Sequence, residues 1–172
     1  MTARWQVRAA TAADAAALAE FAARAFAAAY GPANDPADTA LHIARTYGER
    51  QQAAEIAAAH CLLAVDEGAI VGYALVCVGS SHPDIATPAP SEVRRFYVDE
   101  RYHGRGVASA LMDAAAGHSR ASGAESLWLT VWEQSPRARA FYAKAGFRDV
   151  GSTSFVLGRS AQTDRLLVRR LA

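Results

Sequence analysis

Two glycines separated by one residue, Gly104 and Gly106, lie where a strand-like run gives way to a helix-like one. A helix start stripped of two side chains exposes backbone N–H groups at the positive end of the helix dipole, which suits a phosphate or pyrophosphate. The same spacing serves a tight turn with close helix–sheet packing equally well, because short glycine patterns carry little specificity alone. A dinucleotide site fits poorly. The run Gly104-x-Gly106-x-x-Ser109 lacks the third glycine, and no acidic residue ends the following strand to meet a ribose hydroxyl. A nucleoside triphosphate loop is excluded too, since no Gly-Lys-Ser/Thr follows. The five histidines are dispersed and no Cys/His cluster has metal-ligand spacing, so the expectation is no metal.

The elements that would position this loop are legible around it. Val93, Phe96, Tyr97 and Val98 predict a strand before the glycines. Val107, Leu111, Met112 and Ala115 recur at helical spacing after them, without an intervening proline. Upstream, residues 4–9 alternate as a short strand. Thr11 with Asp14 resembles a capping box ahead of an alanine-rich helix that Gly31-Pro32 ends. Two more helical segments follow, one opening at Asp35-Pro36 and one from Glu49 to about Ala59. Residues 61–78 read as a hairpin turning at Asp66-Glu67-Gly68. Downstream come a strand over 125–131, a helix begun by Ser135-Pro136 and closed by Gly146, and strands over 147–157 and 164–171. The order β-α-α(α)-β-β-β-α-β-α-β-β predicts a mixed α/β domain around one sheet, and the 172 residues suffice for one domain, 1–172.

Bulk properties narrow the class further. A 52% hydrophobic and 20% charged chain is ordinary globular material, and its net charge of +1 supplies no field for nucleic acid or an anionic membrane. No run approaches the roughly 20 apolar residues that span a bilayer. Arg4, Arg8 and Asp14 interrupt any leader-like stretch, so the expected location is cytoplasmic. Cys61 and Cys77 are too few for a disulfide framework and read as buried thiols in a reducing compartment.

A second block adds specificity. His103-Gly104-Arg105-Gly106-Val107-Ala108 and the later run LWLTVWEQSPRARAFYAKAGF together resemble the GNAT superfamily, whose members transfer an acyl group from acyl-coenzyme A to an amine. That family's loop reads Gln/Arg-x-x-Gly-x-Gly/Ala, here with His103 first. Its later motif is matched at Ala138, Phe141, Tyr142, Gly146 and Phe147, with Ser135 in place of the usual Asn. The resemblance implies a mixed, mostly antiparallel sheet of about seven strands, splayed between the fourth and fifth and flanked by four or five helices.

It also implies acetyl-CoA as acyl donor. The amides of His103, Gly104, Arg105, Gly106, Val107 and Ala108 would hold the pyrophosphate, Phe96, Tyr97 and Val98 would line the pantetheine arm, and Ser135 would bond the cofactor or merely cap its helix. Tyr142 would protonate the departing thiolate or pack on the cofactor tail, and the Val98 N–H would meet the oxyanion. Glu92 stands where one branch of the family carries its base, although Arg94, two residues on, could simply pair with it. A base matters because an alkylamine with pKa near 10.4 is neutral in only about one molecule per thousand at pH 7. Family acceptors are held by the first helices and last strands, here 29–59 and 155–165. Residues there resemble a bacterial polyamine-acetylating branch, and Asp35, Asp38, Glu49, Glu55 and Asp84 could meet a polycation or be solvated surface. The expected activity is acetylation of a small amine or polyamine. The alternatives are a protein N-terminus or lysine as acceptor, or an acyl-CoA-binding module without turnover; dimers are common in the family.

Overall fold

The structure, a computed structural model, describes residues 4–172. Trp5 and Val7 alternate with polar residues, and strand β1 (Trp5–Ala9) forms accordingly. The Asp14 carboxylate accepts the Thr11 N–H at 2.8 Å and pairs with Arg8 at 2.8 Å, fixing a single 3-10 turn ahead of helix α1 (Ala15–Tyr30). Leu18, Phe21, Ala22 and Phe26 give α1 a buried stripe. Helix α2 (Pro36–Thr46) starts on Asp35, whose Oδ1 accepts the N–H groups of Ala37 at 2.8 Å and Asp38 at 3.2 Å. Helix α3 (Glu49–Ala58) follows directly. Strands β2 (His60–Asp66) and β3 (Ala69–Val78) turn through Glu67 and Gly68, both at positive φ, as a two-residue hairpin requires.

The second half alternates strand and helix: β4 (Pro90–Val98), α4 (Val107–Ala121), β5 (Ser126–Trp132) and α5 (Pro136–Lys144), closed by the hairpin of β6 (Arg148–Leu157) and β7 (Ser160–Arg170). The seven strands form one sheet in the order β1-β2-β3-β4-β5-β7-β6, antiparallel except between β4 and β5. β7 lies inside because Leu166, Leu167 and Val168 bury both of its faces, whereas β6 alternates exposed residues as an edge strand should. β7 also starts at Ser160, four residues ahead of the Asp164 start expected from composition. Pairing of Ser160 and Ala161 with Leu157 and Val156 overrides the weak strand propensity there. Helices α4 and α5 cover one face through Val107, Leu111, Met112 and Tyr142, and α1 covers the other through Leu18, Phe21 and Phe26.

β4 and β5 pair only at Pro90–Ser126, Ser91–Leu127 and Glu92–Trp128. Beyond that point β4 bonds only to β3, and β5 only to β7. The divergence has a local cause. Val76 faces Val93 and Leu75 faces Arg95, leaving Arg94 as the extra residue of a bulge directly after the last β4–β5 pair. A bulge bends its strand and increases its twist, turning the end of β4 away from β5.

Helix α4 comes close to the sheet at Gly72, where an added Cβ would lie 3.0 Å from Leu111 Cδ1 and 3.1 Å from the Tyr97 carbonyl oxygen. Gly72→Val is therefore expected to lower stability by about 1–3 kcal/mol through overpacking, read as a lower urea midpoint at unchanged slope.

Candidate active site

The loop after β4 is built by backbone geometry. Gly104 and Gly106 both take positive φ, 74° and 84°, which a side chain would strain. Among the described residues nothing lies within 4 Å of a Cβ built on Gly104, and only Trp5 Cζ2, at 3.7 Å, approaches one on Gly106. The first bond of α4 runs from the Ala110 N–H to the Gly106 carbonyl at 3.0 Å, which leaves the amides of the preceding turn without helical partners. Together with the left-handed glycines these amides form a nest for an anion.

Two of the six expected cradle amides face inward instead. The His103 N–H donates to Glu100 at 3.1 Å and the Arg105 N–H to Tyr102 at 3.2 Å, closing the loop. The amides of Gly104, Gly106, Val107 and Ala108 have no such bond among the described residues. The His103 imidazole has its own role: Nε2 lies 3.1 Å from the Val98 carbonyl, and since a carbonyl only accepts, Nε2 carries the proton. Tyr102 braces the loop from the other side, donating its hydroxyl to Asp66 at 2.6 Å, with Arg105 5.5 Å above its ring.

The loop opens onto the gap between β4 and β5. Asp99 donates its N–H across to Val71 at 2.9 Å, so strand alternation turns the Val98 N–H the opposite way, into the gap. Phe96 points to the α5 side, 5.7 Å from Phe141 and 6.0 Å from Tyr142. Tyr97 points to the α1 side and stacks on Tyr73 at 5.8 Å. Tyr142 is 7% exposed and edge-on to Phe147 at 5.8 Å. Burial holds its phenol well above the ordinary tyrosine range, with a smaller push from Tyr30, so it keeps its proton throughout neutral pH. Ser135 precedes α5 but its hydroxyl makes no capping bond, so capping does not account for it. Glu92 sits at the closed end of the gap. It accepts from Ser80 Oγ at 2.6 Å and Arg94 at 2.8 Å, and lies about 20 Å down the strand from Val98.

The α1 side of the gap is walled by aromatic rings that the sequence reading did not single out. Tyr30 stacks on Trp132 at 5.5 Å and approaches Phe155 of β6 at 6.3 Å. His42 stacks on Phe26 at 4.6 Å and meets Phe155 edge-on at 5.7 Å. Burial, then Arg95, lower the His42 pKa, so its imidazole is neutral at pH 7. Beside it a recess of about 190 Å³ is lined by Asp38, Leu41, Arg45, Val156 and Gly158. The β6–β7 hairpin tip is tied over the helices: Gln162 donates to Asn34, and the Arg159 N–H points at Asp38 Oδ2, 3.5 Å away. Glu55 pairs with Arg95 at 3.4 Å rather than facing solvent. Asp164 shows most directly what the sequence signal was. It shares a β7 face with Leu166 and Val168, and a carboxylate in such an alternation marks a buried acid. A larger recess, about 390 Å³, lies at the far end of α4 around His60 and His118 and shares no residue with the loop.

Both cysteines are free thiols. Burial pushes the Cys61 thiol up to about 12 and raises the half-buried Cys77 as well. Iodoacetamide at pH 8 is therefore expected to label Cys77 slowly and Cys61 only on unfolding, which peptide mass mapping would read.

Comparison with known proteins agrees with this geometry. Residues 16–147 match the model of the Acetyltransferase (GNAT) family, and the chain belongs to that family. An uncharacterized N-acetyltransferase from the pepI 3' region of Lactobacillus delbrueckii subsp. lactis is 33% identical over 149 residues, 85% of this chain and 86% of that one. The spermine/spermidine N(1)-acetyltransferase of Bacillus subtilis (strain 168) is 26% identical over 90 residues, covering 52% of this chain and 59% of that protein. The crystal structure of PaiA N-acetyltransferase from Thermoplasma acidophilum in complex with coenzyme A shares the fold, with a TM-score of 0.78 at 17% identity over 99% of both chains. The protein is an acetyl-CoA-dependent N-acetyltransferase, and the seven-stranded splayed sheet that the motifs implied is present.

Proposed function

We propose that the acceptor is a primary amine of a small molecule or polyamine, acetylated directly in the gap between β4 and β5. The observation that carries this reading is the docking of the β6–β7 hairpin onto α2 and the turn before it through Gln162–Asn34 and Arg159–Asp38. An extended peptide needs an open trough with free strand edges to pair with. Here the hairpin tip and the Tyr30–Trp132 stack narrow the acceptor side, which suits a slender alkylamine. The partial match to a spermine/spermidine acetyltransferase supports the same class.

In this reading the amides of Gly104, Gly106, Val107 and Ala108 hold the pyrophosphate, and the splayed edges of β4 and β5 hold the pantetheine arm. His103 fixes the end of β4 through the Val98 carbonyl, leaving the Val98 N–H aimed where the thioester oxygen gains charge. The neutral amine attacks the thioester carbon, the C–S bond breaks, Tyr142 gives its proton to the leaving sulfur, and the proton shed by the acylated nitrogen restores the phenol through water. Glu92, engaged by Ser80 and Arg94, would draw the ammonium proton through a chain of waters rather than by direct contact. Ser135, whose hydroxyl makes no capping bond, would bond the cofactor.

A thiol-release assay with acetyl-CoA over monoamines, polyamines and peptides tests the reading. Turnover of the small amines is the expected result. Turnover of peptides alone would transfer the assignment to protein acetylation, and tight acetyl-CoA binding without thiol release would leave only a binding module.

A further inference from the structure

Asp164 is 6% exposed, its Oδ1 has no hydrogen-bond partner, and no cation among the described residues pairs with it. Asp66 also has one unpartnered oxygen, with Tyr102 on the other as Thr130 attends Asp164, but it lies at the β2–β3 turn, away from the gap. Two residues earlier on the same face of β7, Gln162 Oε1 is likewise buried and unpartnered, while its Nε2 is committed to Asn34. Successive same-face residues of a strand stand about 6–7 Å apart. Two acceptor oxygens on neighbouring positions of one strand face, both lacking donors, can converge on a single ammonium group.

The surroundings suit a cation. Asp164 pairs with Trp132 across the β5–β7 ladder, and Trp132 carries the stacked Tyr30 ring, so the slot is walled by electron-rich faces that attract ammonium groups. Trp132 ends β5, on the stretch that has parted from β4, which places the carboxylate on the acceptor side of the gap. Burial, opposed by the Thr130 hydroxyl and reinforced by Glu133, raises the Asp164 pKa, as expected of a carboxylate awaiting a counter-ion. A buried carboxylate oxygen without a donor is rarely tolerated without a role.

We propose that Asp164, assisted by Gln162, anchors the second, non-reacting nitrogen of a short di- or polyamine whose first amine reaches the thioester. This inference rests on the small-amine reading above and names what selects the amine.

The test is calorimetric titration of the coenzyme A-saturated protein with 1,4-diaminobutane, spermidine and butylamine, for the wild type and for Asp164→Asn, with thiol release measured in parallel. Asp164→Asn is expected to weaken diaminobutane and spermidine at least tenfold, to leave butylamine unchanged and to retain coenzyme A affinity, the last showing that the fold survives. Should Asp164→Asn fail to fold, Gln162→Met is expected to show the same selective loss, to a smaller degree. Equal affinity of the polycations for wild type and variant overturns the anchor, as does their failure to bind the wild type. Diamines that bind through Asp164 without being acetylated would refute the acceptor reading and leave the anchor standing. Diamines acetylated equally well by Asp164→Asn would do the reverse.

Discussion

Gly106→Glu is expected to abolish coenzyme A binding while the protein remains folded. The effect has two parts, and a companion variant separates them. Gly106 holds φ at 84°, so any side chain there carries left-handed strain of about 1–2 kcal/mol. Among the described residues an added Cβ meets only Trp5 Cζ2, at the ordinary contact distance of 3.7 Å. Gly106→Ala should therefore weaken coenzyme A by roughly tenfold, the backbone cost alone. The glutamate adds a negative charge at the mouth of an amide nest. Two unit charges 4 Å apart repel by about 4 kcal/mol at an effective dielectric of 20, roughly a thousandfold in affinity. Titration of coenzyme A into each variant reads both numbers. Near wild-type affinity in Gly106→Glu would mean that the pyrophosphate does not lie on this loop, and similar losses in the two variants would mean that strain, not charge, governs the site.

The strand–loop–helix unit that carries this prediction was legible because its signals are local. Val93 to Val98 favour a strand, Leu111 and Met112 recur at helical spacing, and glycine accepts positive φ at the junction. The features that turn the unit into a site were less visible. The gap depends on a bulge at Arg94, which exists only in the register between β3 and β4, and register is a tertiary property. His103 was expected to matter mainly through its backbone. In the fold its N–H is spent inside the loop and its ring holds Val98, since the imidazole folds back across five residues of chain. The aromatic wall joins Tyr30, Trp132 and Phe155 from three distant elements, so no local pattern announces it. Asp164 was within reach of sequence reasoning, as an acid in phase with Leu166 and Val168. The expected strand, however, began at Asp164 itself, where a polar residue passes for an end rather than an interior position.

Tyr142→Phe is expected to lower kcat by about a hundredfold, within the range that a positioned proton donor supplies, and to change coenzyme A affinity by less than threefold. The ring makes its edge contacts to Phe96 and Phe147 at 6.0 and 5.8 Å, and phenylalanine keeps them, so packing and the cofactor channel are preserved. What is lost is the hydroxyl. The pH profile supplies an independent reading. Burial raises the phenol above its ordinary value of about 10, so the acid stays loaded up to and beyond that pH. Tyr142 should thus impose no alkaline limb on wild-type kcat below about pH 10, and a rising limb at lower pH belongs to deprotonation of the amine. In Tyr142→Phe the thiolate must be protonated by water or leave as the anion. The variant should accordingly regain rate when the acyl donor carries a more acidic thiol, because such a leaving group needs less help. Single-turnover rates with acetyl-CoA and an activated thioester would show the difference. An unchanged kcat with acetyl-CoA would reduce Tyr142 to a packing residue on Phe96 and assign the proton to solvent.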